Sequence, residues 1–185
     1  MPTSISLIRH AEKQIGDALP QGVSIDGTPD AASLTPRGWQ RAGALIGLFV
    51  ARPDGPAPRF PTPAHLFASE VGPHSQSRRP LETIEPIAAR LGLAISEPYL
   101  QDQLDELAQA ILACDGDVLV SWEHKRIPLI ARRIVADPST VPAVWPDDRY
   151  DVVWVLEPEA PGGGFRLTQF PQLLLAGDRP DLIAG

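Results

Sequence analysis

The sequence predicts an α/β fold, a three-layer α/β/α sandwich with a mostly parallel central sheet, spanning residues 1–185 as one domain. Three observations carry that expectation. Short apolar runs alternate with stretches whose apolar residues recur at helical spacing, the pattern of a parallel sheet with helices on both faces. One run, Val118-Leu119-Val120-Ser121-Trp122, is apolar almost without interruption, as strands covered on both sides are. A length of 185 residues supports one well-buried core and is short for two.

The elements follow in order. Ile5 to Ile8 is a brief β-branched run that suits a buried strand, and it stops at Arg9 and His10. Gln14 to Ser33 is rich in Gly, Pro, Asp and Ser without sustained periodicity, and it predicts a long loop beside the strand end, either a lid or an ordinary surface excursion. Thr35 is placed to cap a helix that begins at Pro36, whose missing amide hydrogen costs nothing in a first turn. Ala42, Leu45, Ile46 and Phe49 give that helix one apolar face. His65 to Ser69 is a second strand. Pro80 opens the next helix, with Ile84, Ile87, Ala88 and Leu91 on its apolar face, Gly92 as its stop and Pro86 expected to kink it or shift its first turn. Leu104, Leu107, Ala108 and Ile111 mark a third helix. Asp115-Gly116 turns the chain into the Val118–Trp122 strand, and a fourth helix begins near Pro128. Val152 to Leu156 is a further buried strand. Gly162 to Gly164 then links it to Phe165–Phe170, a final strand expected to pair with it as an antiparallel hairpin.

Composition narrows the function. Apolar residues make up 43% of the chain and its mean hydropathy is near zero, as in soluble globular proteins. No apolar run approaches the roughly 20 residues that span a bilayer, and the start of the chain lacks the basic and apolar regions of a secretory signal, so a cytoplasmic protein is expected. A formal net charge of −7 argues against general nucleic-acid or anionic-membrane partners, which need a basic face. Cys114 is the single cysteine and cannot form an internal disulfide. The four histidines show no short metal-ligand spacing, so neither a metal nor another cofactor is expected.

The chemistry is concentrated at strand ends. Two strands end at histidines, His10 and His124, and one helix begins just after Arg78-Arg79. In open α/β sheets ligands bind outside the carboxyl ends of the strands, so a parallel sheet would gather these distant groups into one crevice. Guanidinium forks match phosphate oxygens, and neutral imidazole has a lone pair able to attack phosphorus. Neighbouring guanidiniums would favour the neutral form of His10 by like-charge repulsion. Glu12 and Lys13 would help shape the first loop, and Lys125 with Arg126 would add positive potential at the rim. His65 and His74 are expected to be surface or hydrogen-bonded histidines. Trp122, Trp145 and Trp154 are expected in the core or the pocket wall.

Four blocks stand in a fixed order: Leu7-Ile8-Arg9-His10-Ala11-Glu12, Leu34-Thr35-Pro36-Arg37-Gly38-Trp39-Gln40-Arg41-Ala42, Ser75-Gln76-Ser77-Arg78-Arg79-Pro80-Leu81-Glu82-Thr83-Ile84, and Val118 to His124. Together they resemble the signature of the histidine phosphatase superfamily, also called the phosphoglycerate mutase-like family. The resemblance implies that His10 is the nucleophile that becomes phosphorylated and that Arg9 binds the transferring phosphoryl group. It implies that Arg79, set by the register of Thr83, is the second phosphate-binding arginine, with Arg78 beside it as a further substrate-binding candidate. His124 is then the second histidine, on the phosphoryl oxygens. Three departures stand out: Ala11 replaces a glycine, Pro80 an alanine, and Lys125 follows the second histidine where the acid-phosphatase branch has aspartate.

The resemblance thus implies a metal-independent phosphatase acting on a phosphorylated small molecule or phosphoprotein through phosphohistidine. A phosphomutase and a catalytically weak phospho-ligand binding protein are the alternatives. A leaving ester oxygen needs a proton, and members of the mutase branch take it from a glutamate some two dozen residues beyond the second arginine. Asp102, Asp105 and Glu106 lie in that region, and Glu106 is closest in spacing. Glu123 is the second choice, although strand alternation would point it away from His124. Each of these carboxylates is equally compatible with a plain solvated side chain.

Overall fold

The computed structural model describes residues 1–72, 75–160 and 163–185; His74 and Gly162, named above, lie outside the described residues. Among the described residues there are six strands, β1 (Pro2–Arg9), β2 (His65–Ala68), β3 (Ile95–Ser96), β4 (Gly116–Trp122), β5 (Val152–Pro158) and β6 (Phe165–Pro171). The helices are α1 (Pro36–Phe49), α2 (Arg79–Leu91), α3 (Leu104–Ala113) and α4 (Ile127–Ile134). The sheet order is β3-β2-β4-β1-β5-β6. The strands β3, β2, β4 and β1 are parallel, β5 is antiparallel to β1, and β6 is antiparallel to β5.

The hairpin of the last two strands is as expected, but the reversed strand is β5, not the edge strand. After α4 the chain takes a long irregular course, including a short 3₁₀ turn at Pro138–Thr140, and enters β5 beside the carboxyl end of β1. The site depends on this reversal.

Strand alternation divides the core into two layers. Leu66, Ala68, Leu119, Val153 and Val155 pack with Leu45, Leu48 and Phe49 of α1 and with Ile84, Ile87 and Ala88 of α2. Ile5, Leu7, Phe67, Val118, Val120, Trp122, Trp154 and Leu156 pack with Leu104, Leu107 and Ile111 of α3 and with Ile127, Ile130 and Ile134 of α4. The three tryptophans expected in core or pocket wall, Trp122, Trp145 and Trp154, are fully buried in this second layer. The helix α2 continues through Pro86, forgoing one backbone bond while its apolar face stays buried. No helix among the described residues is long and apolar enough to cross a membrane.

The helix α1 starts as the sequence predicts, with Thr35 Oγ1 accepting from the Gly38 amide at 3.2 Å. Gly38 is required there by close approach: a Cβ would come 2.5 Å from the Glu12 carbonyl oxygen. That carbonyl also accepts from the Thr35 amide and hydroxyl, at 2.9 and 3.1 Å. The Leu-Thr-x-x-Gly block is therefore a platform for the segment that follows His10. The second half of the Gln14–Ser33 loop is a built turn. Val23 bonds to Leu34 and receives Trp39 Nε1, while Glu82 on α2 accepts from Ser33 Oγ and the Leu34 amide.

Candidate active site

Parallel pairing of β1 with β4 sets Arg9 opposite Trp122, and the His10 amide donates to the Trp122 carbonyl at 3.0 Å. His10 and His124, far apart in sequence, thus emerge at the same end of adjacent strands. Thr83 ties α2 to the same place. Its hydroxyl accepts from the Ala11 amide at 2.8 Å and donates to the Arg79 carbonyl at 2.7 Å. Arg9 and Arg79 lie close enough to act on His10 by charge, and Arg9 on His124, so the four residues gather at one end of the sheet.

His10 is buried, and its Nδ1 lies 2.8 Å from the Ala11 carbonyl oxygen. A carbonyl has no hydrogen to give, so Nδ1–H is the donor and the neutral ring carries its lone pair on Nε2. Burial first, then the charge of Arg9, and further the charges of Arg79 and Lys13, hold the imidazole well below its ordinary pKa of 6.5, against the Ala11 bond. At neutral pH His10 is therefore unprotonated.

Arg9 is also buried and is gripped by the segment before β5. Its Nη1 donates to the carbonyls of Pro146 (3.3 Å), Asp147 (2.6 Å) and Arg149 (3.2 Å), and its Nη2 to the Tyr150 hydroxyl (3.1 Å). The Tyr150 ring lies against the guanidinium, 3.8 Å from centroid to Cζ. Arg79 donates from Nη1 to the Ala31 carbonyl at 2.9 Å. The Nε–H groups of both arginines are buried and have no partner among the described residues. A buried donor left unpaired costs about 1–3 kcal/mol, so an anion rich in acceptor oxygens has two positions waiting for it. Arg78 stands outside this pair, more than half exposed, with Nε 3.7 Å from Glu82.

His124 is buried and its Nε2 lies 2.5 Å from Asp147 Oδ1. Burial, with Arg9 next, pushes its pKa down to about 4 against the opposing pull of Asp147, while Asp147 is held below the usual carboxylate range chiefly by His124. At neutral pH the contact is a neutral imidazole N–H donating to a carboxylate. Strand alternation predicted that Glu123 turns away from His124. Instead its Oε1 comes within 3.6 Å of His124 Nδ1, because β4 ends at Trp122 and alternation ends with it.

The other candidate carboxylates sit elsewhere. Glu106 is exposed in the first turn of α3 and makes no hydrogen bond or ion pair with Arg9, His10, Arg79 or His124 among the described residues. Asp105 pairs with Arg133 at 2.5 Å and Asp102 with Arg126 at 2.6 Å. His65 donates from Nε2 to the Asp115 carbonyl at 2.8 Å, a structural bond far from the crevice in the sheet.

Asp147 and Tyr150 were not singled out from the sequence. The signal was positional: a strand running antiparallel beside β1 must begin where β1 ends, so the residues just before Val152 have to border the site. A cavity of about 220 Å³ adjoins Tyr150, lined also by Lys13, Ile15, Ala18, Leu19 and Pro20.

No protein-family model matches the chain, and no curated protein matches it. Solved structures do. The "putative phosphohistidine phosphatase SixA" from Agrobacterium tumefaciens superposes with a TM-score of 0.50 at 14% identity, covering 91% of this chain and 97% of its own. Bacillus stearothermophilus YhfR superposes with a TM-score of 0.53 at 15% identity, covering 97% of this chain and 98% of its own. At these identities the likeness establishes the fold alone, an α/β fold of the phosphoglycerate mutase-like type.

Proposed function

We propose that the chain is a metal-independent histidine phosphatase that hydrolyses a phosphomonoester or a phosphoprotein through a phosphohistidine at His10. The observation that carries this is His10 itself: a buried, neutral imidazole with Nδ1–H fixed on the Ala11 carbonyl and its Nε2 lone pair beside two arginines. Arg9 and Arg79 each keep an Nε–H that is unpaired among the described residues. The phosphoryl oxygens would satisfy these donors and leave phosphorus facing Nε2.

In the first step the Nε2 lone pair forms the N–P bond while the P–O bond to the leaving group breaks. In the second, water forms a new P–O bond, the N–P bond breaks, and its electrons return to Nε2. The arginines stabilise the charge on the moving phosphoryl group throughout, so positioning and electrostatics supply most of the catalysis. The scheme calls for no metal or cofactor. A phosphorylated small molecule and a phosphoprotein both fit it; the Agrobacterium neighbour is named for phosphohistidine.

The test is hydrolysis of an aryl phosphate by wild type and His10→Ala, with and without a chelator. Activity that survives the chelator and disappears in the variant supports the assignment. Activity that persists in a folded His10→Ala protein refutes it.

A further inference from the structure

We propose that Asp147 is the proton donor to the leaving group, a role it takes up when the phosphoryl group replaces its carboxylate on His124. This rests on the phosphatase reading and names the residue that completes it. Asp147 touches both phosphate-facing groups at once: its carbonyl accepts from Arg9 Nη1 at 2.6 Å, and its carboxylate receives His124 Nε2–H at 2.5 Å. The segment bearing it is held firmly. Trp145 Nε1 donates to the Arg149 carbonyl at 2.9 Å, and Arg149 Nε to Asp151 at 2.7 Å. Yet the Asp147 side chain is 83% exposed, so its carboxyl exchanges protons with solvent.

The Asp147 carboxylate on His124 Nε2 is exposed, so this edge of the ring is the one that a ligand entering from solvent reaches. A phosphoryl oxygen on Nε2–H therefore displaces the carboxylate and leaves it next to the dianion and the ester oxygen. In the resting site the groups facing Asp147 are His124, Arg9 and Lys125, all of which favour its ionised form. An adjacent dianion acts in the opposite direction, and like-charge repulsion drives the carboxyl to take up a proton from solvent. As the P–O bond breaks, its electron pair goes to the ester oxygen, which takes that proton from Asp147. In the second step the carboxylate receives a proton from the attacking water, and it returns that proton to solvent as phosphate leaves, which restores the ionised resting state.

The test compares wild type, Asp147→Asn, Asp147→Glu and Glu106→Gln on phosphate monoesters of graded leaving-group basicity, from an acidic nitrophenol to an alkyl alcohol. Asp147→Asn is expected to lose little on the most acidic phenol and roughly 10²- to 10⁴-fold on the alkyl ester, the usual range for general acid catalysis. Asp147→Glu should recover part of that loss. An equal loss across the series, or no loss, overturns the proposal. So does tighter inorganic phosphate binding without leaving-group dependence, which would make Asp147 a competing anion only. Leaving-group dependence in Glu106→Gln alone would return the role to Glu106. If wild type hydrolyses none of the esters and His10 never becomes labelled, the phosphatase reading fails and this proposal with it.

Discussion

Burial of two neutral histidines makes the stability of this protein fall on the acid side. The folded His124 has a pKa of about 4, against 6.5 for a solvated imidazole. Between those values the unfolded chain binds a proton that the folded chain refuses. The contribution is intact above about pH 6.5 and is lost as pH falls toward the folded pKa. The difference corresponds to about 3 kcal/mol in full, of which about 2 kcal/mol is gone by about pH 5. His10, held low by burial and by Arg9, adds a loss of the same sign. Asp147, with its own pKa lowered, loses its contribution only further toward acid. His124→Asn keeps an N–H donor for Asp147 but cannot titrate. Urea unfolding of both proteins at about pH 7 and about pH 5 isolates the effect. Wild type should lose about 2 kcal/mol more than the variant between the two conditions. Parallel losses would refute the argument that burial holds His124 neutral.

Other residues carry predictions of their own. Thr83→Val preserves shape but leaves the buried Ala11 amide without an acceptor, so a destabilisation of about 1–3 kcal/mol is expected in denaturant titration. Gly38→Ala drives a methyl group against the Glu12 carbonyl; a cost of about 1–3 kcal/mol should come with weaker activity, since Glu12 lies two residues beyond His10. Arg41 is buried between Glu12, at 2.8 Å, and Asp178, at 2.7 Å. Arg41→Met removes the buried partner of two carboxylates and leaves them to the half-exposed Arg37 and to the Leu174 and Leu175 amides, so it should cost about 1–3 kcal/mol and speed proteolysis of residues 172–185.

What the sequence disclosed follows from what is local. Strands and helices are set by periodicity, turn residues and caps, so Thr35, Pro36 and Gly92 marked boundaries that the structure keeps. His10 and His124 could be brought together on paper because each ends a parallel strand, and those strands pair in register. The 143–151 segment offered no such handle. Its importance comes from the direction of β5, a tertiary property that the apolar run Val152–Leu156 does not encode, and so Asp147 and Tyr150 were missed. The two-residue β3 is too short to have a pattern of its own. Glu123 shows the converse: alternation was applied one residue past the end of the strand that justified it.

The central claim is that His10 carries the phosphoryl group during turnover. The most direct measurement is rapid-quench mass spectrometry under alkaline conditions, where phosphohistidine survives, on wild type and on His124→Asn during hydrolysis of an aryl phosphate. The account predicts a phosphoryl adduct on the peptide containing His10, labile to acid and formed no more slowly than product is released. An adduct on another residue, or steady turnover with His10 unmodified throughout, would contradict it.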